Sequence, residues 1–278
     1  MVMKSSNKRW DTMDKGDVSL DKLMLQYEAF NRTEGKTDKT ILWYNQSLHQ
    51  LNEFLKQNGH SNILNDLDLD LIRTYILHLQ KRQRFVDHPY VPTKDERLSP
   101  ATVENHVRTI RAFFSWLHRE DYTDEHILQR LKLPKIPVVL IEPLNDVEVA
   151  AIFSAFDANT CSGARDICMI TLMLDKGIRS TELTTLQTKN VHLEEGYMKV
   201  MGKGQKERML PFGSASQKAL LKYLYHFRPE PIHQGIGNFI LTLDGYAMTY
   251  NALRLMMNRL TIRSGVDRLH AHVLQLPG

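Results

Sequence analysis

The stretch of residues 172–212 constrains the fold most, because its hydrophobic pattern changes there from the period of a helix to that of a strand. Gly177 ends one predicted helix, and Arg179 begins a short second helix that carries Glu182. The following residues alternate and turn at a pair of glycines, which predicts a β-hairpin with Lys203 at its tip. We therefore predict a mainly α fold with a small β-sheet.

An arginine at a helix junction and a lysine on a hairpin are suited to holding one phosphate. The planar fork of Arg179 matches two phosphate oxygens, and a lysine beside other cations can give a proton to a leaving oxygen. His272 can hydrogen-bond the same phosphate or move a proton. Each residue also has an ordinary interpretation: a surface ion pair between Arg179 and Glu182, a solvated turn residue for Lys203, and a partly buried imidazole for His272.

Three pieces of sequence carry a family resemblance through their order and spacing. They are GIRSTEL at residues 177–183, VMGKGQKER at residues 200–208 followed by Pro211, and LHAHVL at residues 269–274. Together they resemble the tyrosine recombinases, also called phage integrases, and the third piece resembles the start of that family's His-x-x-Arg box. The resemblance extends over nearly all of the chain.

The resemblance implies site-specific DNA recombination or integration, of the integrase or transposase type, through breakage and rejoining of DNA strands. It implies that Arg179 is the first catalytic arginine, that Glu182 is the acidic residue supporting the site, that Lys203 is the general acid and that His272 is the histidine of the box. It also implies duplex DNA at a recombination site as the partner, self-association on that DNA, and no cofactor.

The resemblance fails at position 275, where the box requires an arginine and the chain has Gln275. No tyrosine follows His272, so we assign no nucleophile. We expect a C-terminally truncated, cleavage-incompetent form whose catalytic domain is incomplete, with apolar residues at 250–260 left uncovered. The alternative is a non-enzymatic DNA-binding protein that occupies recombination sites.

Potential metal ligands and thiols give weaker signals. His270 and His272 suggest a metal-dependent hydrolase, but no third ligand is spaced to match, so we expect no metal site. Cys161 and Cys168 fit no disulfide or zinc spacing and share one predicted helix face, so we expect buried free thiols. No apolar run approaches the roughly 20 residues that cross a membrane, and the N-terminus lacks a signal-peptide core. We expect no membrane association and a cytoplasmic location.

Two prolines, Pro134 and Pro137, interrupt the helical pattern and predict a domain boundary. Four amphipathic helices precede them, with predicted caps at Ser19, at Asp66 or Asp68, and at Ser99, and with a polar loop at 84–98. By resemblance these helices form a SAM-like core-binding domain. We predict four segments: a flexible arm at 1–18, the helical DNA-binding domain at 19–131, a linker at 132–144, and an α+β recombinase catalytic domain at 145–278.

Charge is distributed unevenly along the chain. Its formal net charge is +4, but residues 196–278 contain 11 Lys and Arg against four Asp and Glu, a balance of +7. The remaining residues contain 25 against 28, a balance of −3. The excess lies beside the predicted hairpin, where it suits a polyanion such as DNA, although a solvated basic face has the same composition.

Overall fold

The N-terminal part of the computed structural model consists of four long helices and a small hairpin. The structure describes residues 17–86, 90–137, 140–202 and 206–275. The helices are α1 (Leu20–Thr33), α2 (Asp38–Gln57), α3 (Leu69–Lys81) and α4 (Pro100–Arg119). Most of the arm predicted at 1–18 lies outside the described residues.

Polar residues begin these helices, largely as the sequence predicts. The Asp68 carboxylate accepts a hydrogen bond from the Leu71 N–H at 2.7 Å, and Ser99 caps α4 through the same kind of bond. Ser19 also precedes a helix, but its side chain makes no cap hydrogen bond. Ser19 therefore occupies the predicted N-cap position, but it does not cap the helix through its side chain, and its backbone forms a β-bridge with Ile63.

An aromatic cluster lies in the core of the four helices. The ring of Tyr27 lies 5.2 Å from that of Phe113 and 5.1 Å from that of Trp116, measured between centroids. Aliphatic residues at helical spacing surround the cluster and are fully buried, among them Leu23 and Val107. Each such buried side chain stabilises the fold by about 1.5–3 kcal/mol.

The segment predicted as a loop at 84–98 contains a short antiparallel hairpin. Strands β1 (Gln83–Arg84) and β2 (Lys94–Arg97) pair with an irregular register. Polar cross-strand contacts hold them, including an ion pair between Arg84 and Glu96. Every residue of β2 is exposed, so no apolar alternation marked this strand in the sequence.

The C-terminal part combines helices with a three-stranded antiparallel sheet, which confirms the predicted mainly α fold with a small β-sheet. Its helices are α5 (Asp146–Ser154), α6 (Cys161–Lys176), α7 (Ser180–Thr185), α8 (Ser214–Lys222) and α9 (Tyr250–Ser264). Its strands are β3 (Val191–His192), β4 (Tyr197–Met201) and β5 (Glu207–Pro211), in the order β3-β4-β5. The predicted hairpin is therefore confirmed, and β3 extends it by one strand.

Two expectations about burial in this part are wrong. The apolar residues Leu253, Met257 and Leu260 of α9 are covered, with at most 4% of each residue exposed, because they join one core with α5 and α6. Of the apolar residues in the same stretch, only Tyr250 and Leu255 are about half exposed, so the expectation holds for these two residues alone. Cys168 is buried as expected, but Cys161 is exposed. Cys161 is the first residue of α6, where the helix begins at the surface.

The chain divides into two units, Met1–Val138 and Val139–Gly278. The segment boundaries that the prolines predict, at 131/132 and 144/145, stay a prediction. Limited proteolysis tests them, because cleavage inside α4 before any cleavage at 132–144 would contradict the division. In the part of the chain that the structure describes, no helix is both long and apolar enough to cross a membrane.

Candidate functional site

Gly177 ends α6 in a conformation that glycine adopts most easily. Its φ of 57° lies in the left-handed region, and its N–H donates to the Met173 carbonyl at 3.1 Å. The next residue, Ile178, is fully buried and anchors the connection between the two helices. Arg179 follows with an extended backbone and directly precedes α7, as the sequence predicts.

Arg179 occupies the N-cap position of α7, where a short acceptor such as Ser, Thr, Asp or Asn usually stands. A guanidinium has no acceptor, so the Arg179 side chain cannot cap the helix. Glu182 makes the reciprocal bond, because its Oε2 accepts from the Arg179 backbone N–H at 2.9 Å. Its Oε1 accepts from Arg179 Nη1, also at 2.9 Å.

Burial distinguishes this pair from an ordinary surface ion pair. The Glu182 side chain is 1% exposed, whereas the Arg179 side chain is 58% exposed. A surface pair on one helix face leaves both partners in water and contributes little. Here the carboxylate is buried and fixes one end of a guanidinium whose remaining surface reaches solvent.

Arg208 is a third member of the site, which the sequence reasoning missed. It lies on β5, and its Nη2 donates to Glu182 Oε2 at 2.8 Å. Two arginines from separate elements therefore share one buried carboxylate. The strand register contained the signal, because Arg208 pairs with Val200, which is 2% exposed. Directly paired residues share a face of the sheet, so a charged residue beside Val200 needs a buried partner.

The two arginines keep Glu182 ionised. Burial by itself favours the neutral acid. The hydrogen bonds from the Arg179 backbone N–H and from the guanidinium groups of Arg208 and Arg179 outweigh burial, and the pKa of Glu182 is lowered below its usual range. The site therefore contains one carboxylate and two guanidinium groups, and its local net charge is +1.

Lys203, the predicted general acid, lies outside the described residues. The base of its hairpin is described, and there the Gly202 N–H donates to the Lys206 carbonyl at 2.8 Å. A Cβ added to Gly202 would lie 3.5 Å from Glu182 Oε1. The buried carboxylate therefore lies directly beside the base of the turn that carries Lys203.

His272 is exposed on a turn just before a short 3₁₀ helix, Val273–Gln275. Val273 and Leu274 are buried and hold this turn to the domain. Within the described part of the chain, no hydrogen bond or ion pair joins His272 to Arg179 or Glu182. The Gln275 side chain lies outside what the structure describes.

Metal ligands do not cluster among the described residues. No group of three His, Cys, Asp or Glu side chains within them could hold a metal ion. The rings of His270 and His272 lie 6.3 Å apart between centroids. His270 Nδ1 lies 2.7 Å from the Arg268 carbonyl, so this ring is already engaged by the backbone.

Comparison with known families matches both halves of the chain. The Phage integrase family matches residues 143–275, and the Phage integrase SAM-like domain matches residues 22–133. The chain belongs to the tyrosine recombinase family. Arg179, Glu182 and Arg208 all lie inside the first matched segment, and the four N-terminal helices lie almost entirely within the second.

Curated tyrosine recombinases resemble the chain over most of its length. It is 27% identical to tyrosine recombinase XerC of Staphylococcus haemolyticus, over 85% of this chain and 74% of that protein. It is also 27% identical to tyrosine recombinase XerD of Staphylococcus aureus, over 92% of this chain and 83% of that protein.

Solved structures share the fold at lower sequence identity. A lambda integrase tetramer bound to a Holliday junction matches 99% of this chain and 76% of its own, with a TM-score of 0.70 and 15% identity. The Tn1549 transposon integrase in complex with a circular intermediate DNA matches 92% of this chain and 84% of its own, with a TM-score of 0.69 and 16% identity. The predicted combination of a SAM-like helical domain and a recombinase catalytic domain is confirmed.

Proposed function

We propose that this tyrosine recombinase relative takes part in site-specific DNA recombination by binding duplex DNA and holding one backbone phosphate. Arg179 contacts the phosphate and Glu182 orients Arg179. Lys203 is the general acid, and His272 hydrogen-bonds the phosphate. The observation that carries this proposal is the buried Glu182 carboxylate, which fixes an exposed guanidinium at a helix junction.

The chemistry of phosphodiester cleavage favours this arrangement. Without a metal, charge that develops on the non-bridging oxygens must be stabilised by fixed donors. Arg179 suits that role because one Nη is held by Glu182 while the rest of the fork reaches solvent. The solved relatives bound to a Holliday junction and to a circular intermediate DNA support DNA as the partner.

Duplex DNA is proposed to contact both domains. The helical domain at 19–131 and the catalytic domain at 145–278 would grip the duplex, with the linker at 132–144 between them. The excess of positive charge in residues 196–278 favours phosphate contacts. Several copies of the chain would assemble on one recombination site.

The 278-residue polypeptide is proposed to bind DNA without cleaving it. No tyrosine follows His272 in these residues. Tyr223 is fully buried, its hydroxyl accepts from the Leu241 N–H at 3.0 Å, and burial raises its pKa to about 12, so it cannot serve as a nucleophile. Gln275 also lacks the charge and fork of an arginine, and losing one such donor typically costs about 10²–10³ in rate.

Two assays on the same protein test this proposal. Fluorescence anisotropy with a mixed-sequence duplex should show binding that weakens with salt, by about 0.9 log units per log unit of salt for each phosphate neutralised. A duplex nicked near the candidate cleavage position should show no covalent protein–DNA band on a denaturing gel. Absent binding would overturn the proposal, and a covalent band would overturn the proposed incompetence.

A chimera separates a recombinase site from a non-enzymatic DNA-binding protein. It carries Gln275→Arg and the C-terminal segment of XerD with its tyrosine. Covalent adduct formation that Arg179→Ala abolishes would support the recombinase site. A folded chimera that binds DNA without any adduct would favour the non-enzymatic alternative.

A further inference from the structure

We infer that Arg208 is a second phosphate-binding arginine and contacts the same DNA phosphate as Arg179. This inference rests on the proposed function and extends it by one residue. It starts from the charge balance of the cluster formed by Arg179, Glu182 and Arg208. Both guanidinium groups lie within 2.9 Å of a single carboxylate, so one positive charge has no counter-ion among the described residues.

The exposure of Arg208 indicates where an anion would bind. Its side chain is 39% exposed, although one of its nitrogens is fixed on the buried Glu182. The Arg179 side chain is 58% exposed and is fixed on the same carboxylate. Two partly exposed guanidinium groups, held on the two oxygens of one carboxylate, place several donors close together, which suits a phosphate.

An unsatisfied donor provides a separate observation. Arg208 Nε is buried and has no hydrogen-bond partner in the described part of the structure. A buried donor without an acceptor costs free energy, and a buried donor on a charged group costs more. No protein acceptor among the described residues therefore offsets this part of the Arg208 charge, and a phosphate beside the exposed part of the side chain would balance it.

Arg208 could also supply the second arginine that position 275 lacks. Where the family's box has its arginine, this chain has the neutral Gln275. Arg208 instead reaches Glu182 from strand β5, which pairs with β4 in the hairpin. A second guanidinium is therefore available to the phosphate from another element of the fold.

The salt dependence of DNA binding tests this inference. Anisotropy is measured with a mixed-sequence duplex between about 50 and 200 mM NaCl, because each lost phosphate contact reduces the log–log slope by about 0.9. Arg208→Gln should reduce the slope by about 0.9, as Arg179→Gln does, because either change removes the net positive charge of the cluster. The double variant should also lose about 0.9, because both arginines contact one phosphate. Arg208→Lys retains the charge and should retain the slope with weaker binding, because the fork is lost.

Arg268→Gln is the matched control. The Arg268 side chain is 36% exposed and also binds one carboxylate, that of Glu148, but it lies outside the cluster. Its removal should leave the slope unchanged. If Arg208→Gln lowers only the melting temperature and keeps the wild-type slope while Arg179→Gln reduces it, Arg208 is structural and the inference is wrong.

A second measurement on the wild-type chain does not depend on how the variants fold. Arginine modification by phenylglyoxal, read by peptide mass spectrometry, should be suppressed by duplex DNA at Arg179 and Arg208 but not at Arg268. Protection of Arg179 without Arg208 would overturn the inference and leave the proposed function intact. Wild-type binding that does not respond to salt, with neither arginine protected, would overturn both.

Discussion

Two glutamates of the C-terminal domain occupy the same local motif but differ in their surroundings. Glu148 and Glu182 are each the third residue of a helix, and each accepts a hydrogen bond from the backbone N–H of the N-cap residue at 2.9 Å. Glu148 belongs to a complete capping box, since the Asn145 side chain accepts from its N–H. Asn145 and Glu148 thus satisfy each other's backbone N–H groups at the start of α5.

The second motif has an arginine where the first has an asparagine. Asn145 completes its helix start, whereas Arg179 leaves the cap of α7 unmade and directs a charge outward. Glu148 is 21% exposed and binds one arginine, Arg268, whereas Glu182 is 1% exposed and binds two. The same turn therefore begins a helix with a complete cap in one case and holds a partly exposed guanidinium without a side-chain cap in the other.

Removing each carboxylate should give the largest contrast. Glu182→Ala leaves two guanidinium groups around an emptied buried position, and we expect a loss of about 3 kcal/mol, near the low end for broken buried pairs because both groups still reach water. Glu148→Ala should lower the melting temperature by less. Chemical denaturation followed by circular dichroism measures both, and equal losses would remove the distinction between the two motifs.

Removing the arginines should separate binding from stability. Arg179→Ala should weaken duplex binding at low salt by about 10–100-fold, since a charge-assisted hydrogen bond contributes about 1.5–3 kcal/mol, while stability changes little because Arg208 still pairs with Glu182. Arg268→Ala should do the opposite and lower the melting temperature without changing DNA affinity. The comparison fails if both variants lose affinity equally.

Exchanging the cap residues should give a smaller effect. Arg179→Asn reproduces the Asn145 motif and should be more stable than Arg179→Ala by about 1 kcal/mol, because the amide oxygen can accept from the helix N-terminus. Asn145→Ala should lose a similar amount. Both Arg179 variants should bind DNA equally poorly. If the two variants are equally stable, the residue at the N-cap position of α7 does not affect helix stability.

Acid should weaken the Glu148 motif over a defined range. Hydrogen bonds from Arg268 and from the Asn145 backbone N–H lower the pKa of Glu148 from 4.5 to about 2. Because the folded pKa is depressed, this stabilisation is fully present above about pH 4.5 and is lost as the pH falls towards about 2. Glu148→Gln should therefore flatten the decline of the melting temperature in that range. A decline identical to that of the wild type would show that Glu148 contributes nothing to it.

Local pattern was sufficient to predict the parts of the site that are close in sequence. Arg179 and Glu182 are three residues apart on one helix start, and Gly177 specifies the turn before them. The contact between Glu182 and Arg208 spans 26 positions and depends on strand register, which the motif alone did not reveal. The burial of Glu182 likewise depends on how the hairpin packs over α7. Lys203 and His272 stay predictions as site residues.

Errors elsewhere have similar physical origins. The hairpin β1–β2 is held by polar cross-strand pairs, which leave no hydrophobic alternation to detect. Cys161 and Cys168 share a helix face, but only Cys168 lies deep enough along α6 to be covered. Cross-strand pairing decided the first case and depth within the fold decided the second, and hydrophobic periodicity contains neither.

The unequal cysteines of α6 make the unmodified chain suitable for distance measurements. The sequence has two cysteines, of which Cys161 is exposed and Cys168 is fully buried, and burial raises the pKa of the Cys168 thiol. Maleimide dyes react with thiolates at the surface, so a single fluorophore should attach at Cys161. The helix of 16 residues is about 24 Å long and ends beside the Arg179 turn. Energy transfer from a dye at Cys161 to one on a DNA end would therefore locate the duplex along the domain without any substitution.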